Sequence, residues 1–124
     1  MQSDVKIVRT GDFVIVTPQG ELDREKTGQL IKKIAAATAS LRDYEILVDT
    51  RKAQSGMSVS DLWYLAAQLS KLDETFSRKT AVLCPRERFD KAAFFALCAQ
   101  NRGFLVKAFT SFEDAIEWMV AEGP

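Results

Sequence analysis

Tyr44-Glu45-Ile46-Leu47-Val48-Asp49-Thr50 is the stretch that decides the fold. Its centre, Ile46-Leu47-Val48, is apolar without alternation. Successive side chains of a strand point to opposite faces, so a strand wet on one side alternates apolar and polar residues. A run that is apolar on both faces belongs to a strand whose sheet is covered on both sides, as in parallel sheets flanked by helices. Residues 44–50 are therefore predicted as a buried strand, the third of the chain.

The pattern on either side supports that reading. Upstream, residues 5–9 and 13–17 are β-rich and are separated by Thr10-Gly11-Asp12, a hairpin signal. Pro18 has no N–H to donate and Gly20 can turn the chain, so the second strand ends there. A helix is predicted over 24–41, with Asp23 as its N-cap and Leu30, Ile31, Ile34 and Thr38 at helical spacing. Gly28 weakens it, by up to about 1 kcal/mol relative to Ala. Downstream, a loop over 51–57 leads to a second helix capped by Ser58. Asp61 stands three residues on, a capping-box pattern with Asp in place of Glu. Val59, Leu62, Trp63, Ala66, Leu69 and Leu72 are its predicted buried stripe. A fourth strand over 80–84 stops at Pro85. A third helix over 88–101 ends at Gly103, which can take a left-handed C-terminal conformation. A fifth strand over 104–109 precedes a last helix capped by Ser111. Phe112, Ala115, Ile116 and Met119 fall on one face of that helix, and Glu113 and Asp114 suit the positive end of its dipole.

The predicted order is ββαβαβαβα. Strand–helix alternation implies an α/β fold with a mixed sheet, mostly parallel through right-handed crossovers, with the first strand antiparallel. No repeat, low-complexity stretch or linker divides the chain, so 1–124 reads as one domain.

Composition narrows the chemistry. The chain has 124 residues, 17 Lys plus Arg, 17 Asp plus Glu, and no histidine. A balanced charge argues against nucleic acid as a partner. The absence of histidine removes the commonest general base and the commonest metal ligand. Cys84 and Cys98 are too few for a zinc site and sit among apolar residues, as reduced buried thiols do. No stretch approaches the roughly 20 apolar residues that span a bilayer, and no signal core opens the chain. A cytoplasmic protein without metal or cofactor is the expectation. The charge is nevertheless uneven. Arg78, Lys79, Arg86, Arg88, Lys91, Arg102 and Lys107 outnumber Glu87 and Asp90 between residues 78 and 107, whereas 108–124 carries acids and no Lys or Arg.

In open parallel sheets ligands bind beyond the carboxyl ends of the strands. The loops there carry Arg51, Lys52, Arg86 and Arg88 beside helix N-termini, a combination suited to an anion or a partner's carboxylate and equally to solvated loop charge. Asp49, at a strand end, suits a metal or a base, and equally a cap of the following loop. Cys84 has no histidine to activate it, so a nucleophilic role would depend on Arg86 or a helix terminus. The third helix, with Ala92-Ala93-Phe94-Phe95-Ala96-Leu97-Cys98-Ala99, is apolar nearly all round. Either its neighbours bury it on several sides, or Phe94 and Phe95 reach a partner, a second subunit or an apolar ligand.

The order of elements, "ILVDTR" closing the third strand, "KTAVLCP" in the fourth and "FTSFEDAIEWM" at the end resemble the SpoIIAA-like family. These are small bacterial relatives of STAS domains, the anti-sigma-factor antagonists, and their fold is shared with Sec14-type lipid-binding domains. The resemblance implies a non-enzymatic regulatory domain that works through protein contacts at the loop edge, with a protein partner or self-association as a homodimer. It also implies a phosphorylatable Ser or Thr after the third strand, in a pattern like D-S-S-G-L. Gln54-Ser55-Gly56-Met57 matches best, with Ser55 in register, and departs from the pattern at Ala53 and Gln54. Ser58 is the alternative acceptor. The likeness to Sec14-type domains implies a second reading, a lipid or small apolar ligand held near Trp63, Phe94 and Phe95.

Overall fold

The structure is a computed structural model and describes residues 5–41, 44–72 and 78–121. Glu122, one of the acids of the C-terminal segment, lies outside them. Strands β1 (Val5–Thr10) and β2 (Phe13–Pro18) form the expected hairpin, in register from Val5 opposite Pro18 to Thr10 opposite Phe13. Gly11 has φ +60° and Asp12 does not share the positive sign, the pattern of a II′ turn. β4 (Glu45–Asp49), β6 (Thr80–Leu83) and β7 (Val106–Phe109) then add in parallel, giving a five-stranded sheet in the order β1-β2-β4-β6-β7.

The sheet is covered on both faces, as the apolar third strand requires. Val14, Val16, Ile46, Val48 and Val106 point into one core. It is completed by α1 (Arg24–Thr38), α2 (Val59–Gln68) and α3 (Phe89–Gln100). Their neighbours Leu47, Ala81, Leu83 and Phe109 point the other way, onto α4 (Phe112–Val120). The second core is smaller, and Lys79 helps to close it. This lysine is only 7% exposed. Its ammonium donates to the carbonyls of Trp118 and Ala121 at 2.8 and 2.7 Å. It thus places a cation on the negative end of α4.

The predicted caps are present. Asp23 accepts the Lys26 N–H at 2.8 Å, and Ser111 accepts that of Asp114 at 3.3 Å. Ser58 and Asp61 form the reciprocal capping box. Gly103, at φ +91°, closes α3 with the Phe104 N–H bonded to the Ala99 carbonyl and its own to Gln100.

Four expectations are corrected. A second, two-stranded parallel sheet joins β3 (Gly20–Leu22) to β5 (Ala53–Ser55), where loops were predicted. Val59 and Trp63 do not belong to the buried stripe of α2. They are 56% and 55% exposed, and the inward positions are Leu62, Leu65 and Ala66. Phe112 is exposed rather than on the packed face of α4. α1 ends at Thr38, not residue 41, where the Thr38 hydroxyl bonds back to the Ile34 carbonyl at 2.9 Å.

Candidate functional site

The carboxyl ends of β4 and β6 carry a rim held together by side chain to backbone contacts. Asp49 folds back over the loop that follows it. Its Oδ1 accepts the Arg51 N–H at 3.1 Å, and its two oxygens take Nε and Nη2 of the Arg51 guanidinium at 3.0 and 2.9 Å. Partial burial pushes the Asp49 carboxyl up, but the hydrogen bonds and charge of Arg51, aided by Lys52, outweigh it and hold the group below its ordinary value. The cap reading of Asp49 is the one its contacts match. Thr50 ties the loop to the next strand, its N–H and hydroxyl both donating to the Leu83 carbonyl at 2.8 and 2.9 Å.

Arg88 and Lys91 tighten the rim from the other side. Residues 86–88 form one 3₁₀ turn leading into α3. From it Arg88 reaches back, Nη2 donating to the Thr50 carbonyl at 2.7 Å and Nη1 to that of Ala53 at 2.8 Å. One turn on, the Lys91 ammonium donates to the Met57 carbonyl at 2.7 Å, just ahead of α2. Two cations are thereby fixed over backbone carbonyls rather than free in solvent.

Beneath this rim lies a cavity of about 140 Å³. Its floor is Val48, Val82 and Val106 of the sheet, and its walls are α1, α2 and α3, with Ile31, Leu65 and Phe95 among the contributors. The lining is almost wholly apolar. Val82 lies on β6, inside the sheet between β4 and β7, yet it is only half-buried because the cavity reaches it.

A second surface runs along the outside of α2. Val59 and Trp63 stand one helical turn apart, and Tyr64 beside them is 43% exposed. The Arg102 guanidinium lies 5.5 Å over the Trp63 ring and that of Arg24 4.9 Å over Tyr64. These cation–π contacts orient both rings without burying them. Ser58 sits at the head of this ridge, exposed, accepting the Asp61 N–H at 3.2 Å.

The predicted site residues are thus divided among three places. Arg51 and Arg88 serve the rim, paired with Asp49 and with the carbonyls of Thr50 and Ala53, while Lys52 and Arg86 lie exposed. Ser55 closes β5, half-buried, and lines the cavity, so it is not at a helix N-terminus, whereas Ser58 is. Phe95 lines the cavity, Phe94 packs half-buried against the same core, and Trp63 is outside it. Lys91 and Tyr64 were missed. Lys91 could have been found from its spacing of three from Arg88 on one helix face, and Tyr64 from its place beside Trp63. Cys84 is buried, which pushes its thiol up, with Arg88 opposing and Glu87 adding to the rise. A nucleophilic cysteine needs the opposite shift. Among the described residues no group of three or more His, Cys, Asp or Glu could hold a metal ion, and no helix is long and apolar enough to cross a membrane.

Several solved structures share this architecture. An anti-sigma factor antagonist from Mycobacterium paratuberculosis is 18% identical over 97% of this chain and 96% of that chain, with a TM-score of 0.64. An uncharacterized DUF3478-family protein with a SpoIIAA-like fold, from Shewanella loihica PV-4, is 20% identical over 94% and 93%, with a TM-score of 0.57. The anti-sigma factor antagonist SpoIIAA in its unphosphorylated form is 20% identical over 94% and 96%, with a TM-score of 0.56. The Bacillus cell fate determinant SpoIIAA in the phosphorylated form is also 20% identical, at a TM-score of 0.53. The chain has the SpoIIAA-like fold. No protein-family model and no curated protein matches the sequence.

Proposed function

We propose that this protein is a non-enzymatic regulatory domain that binds a protein partner through the outer ridge of α2, in the manner of an anti-sigma factor antagonist. The observation that carries the reading is the ridge itself. An exposed Val59, Trp63 and Tyr64 on one short helix is more apolar surface than folding requires. Trp and Tyr, flanked here by Arg24 and Arg102, are the residue types that dominate binding energy at interfaces. The fold adds support, since two of its structural relatives are anti-sigma factor antagonists.

Ser58 is the better candidate phosphoacceptor of the two serines. Its hydroxyl is exposed at the N-terminus of α2, where a phosphate would meet free N–H groups. Asp61 accepts the Ser58 N–H at 3.1 Å, so a phosphate there would also face a carboxylate and loosen the capping box. Modification would alter the head of the ridge without touching the core.

The test is quantitative capture of proteins from the source cell by wild type, Trp63→Asp and Ser58→Glu. Trp63→Asp is expected to abolish a wild-type interaction and to cost about 1–2 kcal/mol of stability, from the covered half of its ring and the Arg102 contact, leaving the chain folded. Ser58→Glu is expected to weaken the same interaction at least about tenfold. An identical set of partners for wild type and Trp63→Asp, both folded by circular dichroism, would refute the ridge as the contact. A second copy is separated from a foreign partner by sedimentation: a wild-type dimer that dissociates in Trp63→Asp identifies self-association.

A further inference from the structure

The cavity under the rim is not needed by the ridge of α2. Protein interiors pack to the density of organic crystals and leave few voids larger than a water molecule. A pocket of about 140 Å³, partly open to solvent, therefore leaves apolar side chains around it without close neighbours. Most of its wall is aliphatic or aromatic, and the polar side chains Ser55, Arg88 and Lys91 belong to its edge under the rim.

Size defines the class of occupant. A cavity of roughly 150 Å³ lined by aliphatic and aromatic side chains accommodates benzene. A space of about 140 Å³ thus suits a six-membered ring or a short alkyl chain.

Charge defines its polar end. Arg88 and Lys91 both line the cavity, and no Asp or Glu does among the described residues. Neither cation is exhausted by its carbonyl partners: a guanidinium has five N–H donors and an ammonium three. Each is already fixed by those partners, so little side-chain freedom remains to be lost on binding. Ser55 also lines the space, and among the described residues its hydroxyl has no hydrogen-bond partner.

We infer that the cavity binds a small aromatic or short-chain aliphatic carboxylic acid, with the ring or chain against Val82 and Phe95 and the carboxylate at Arg88, Lys91 and Ser55. The site is separate from the ridge and stands whether or not the protein contact does. Of the lipid or small apolar ligand expected near Trp63, Phe94 and Phe95, it takes the small ligand, at Phe95 and on the side of α2 away from Trp63.

The experiment is a methyl and amide NMR titration of the whole chain with benzoate, hexanoate, benzyl alcohol and palmitate. Benzoate and hexanoate are expected to shift Val48, Val82 and Ala92 together, saturably. Benzoate should bind about tenfold more tightly than benzyl alcohol, its neutral counterpart. Ala92→Leu, which places a larger side chain in the space, should abolish those shifts. Lys91→Gln keeps a donor for the Met57 carbonyl and removes the charge, so it should weaken benzoate and leave benzyl alcohol unchanged. The inference fails if millimolar benzoate and hexanoate leave the three residues unmoved, or if the shifts gather at Trp63. Equal affinity for benzyl alcohol overturns the acid, and tighter one-to-one binding of palmitate overturns the size.

Discussion

Leu83 and Val82 are neighbours on β6 and live in different surroundings. Leu83 points toward α4 and is wholly buried, among Leu47, Ala81, Phe109 and Met119. Val82 points toward α1–α3 and meets the cavity. The same strands therefore supply a closed face and a hollow one. The hollow face has three helices to fill it and the closed face one, so the amount of covering structure does not explain the difference. The two faces also differ at their edges: on the hollow side Arg88 and Lys91 brace the loops and the start of α3 on backbone carbonyls.

The sharpest way to break this contrast is a pair of truncations. Leu83→Ala should cost about 3–5 kcal/mol, the upper range for a leucine removed from a packed core. Val82→Ala should cost about 1 kcal/mol, because much of its surface already lacks neighbours. Urea unfolding of both variants measures the difference. Equal costs would mean that the cavity is filled by rearrangement in solution.

The closed face makes a second prediction. Lys79→Met keeps an apolar stem of similar length but removes both donors to the end of α4 and the cation over the Trp118 ring. A loss of about 2 kcal/mol is expected, from the helix-end charge and two charge-assisted hydrogen bonds. Hydrogen exchange should quicken in α4 before it does in α1–α3. Uniform acceleration would show that the two faces unfold as one unit with no local contribution from the lysine.

A third change sharpens the hollow side and has the opposite sign. Gly28 lies in the second turn of α1, and a Cβ there would meet only Leu65 Cδ2, at 4.0 Å. Gly28→Ala should raise stability by about 0.5–1 kcal/mol through helix propensity alone. A lower melting temperature would place α1 closer to α2 than the structure does.

Much of this molecule was readable in its sequence, for reasons that are local. The covered strand announces itself in Ile46-Leu47-Val48, and the caps at Asp23, Ser58 and Ser111 rest on three or four residues each. What escaped is non-local. β3 and β5 are three residues long and exist because they find each other across 33 positions, from Gly20 to Ala53. Trp63 was placed inside because a large apolar residue at helical spacing is usually buried, and only the packing of α2 against α3 decides which side of it faces the sheet. The cavity has no sequence signature, since it is an absence of contact among residues that all look like core. Arg88 looked like a free cation because its partners are carbonyls, which no side-chain pattern reveals.

The smallest effect lies at the rim, where the closed and hollow faces meet at the end of β4. Asp49 is held below the ordinary value of 3.8, so its folded form binds a proton less readily than its unfolded form. The stability it contributes is therefore fully present above the unfolded value and is lost as pH falls through the lower, folded one. Asp49 is 17% and Arg51 48% exposed at the side chain, so solvent and salt screen the pair. A contribution under about 1 kcal/mol is expected. Asp49→Asn should be destabilised by that amount at neutral pH, and the gap to wild type should close in acid well below 3.8. No gap at neutral pH would assign the loop to the backbone hydrogen bond at Arg51, which an Asn oxygen keeps, and remove the ion pair from the rim.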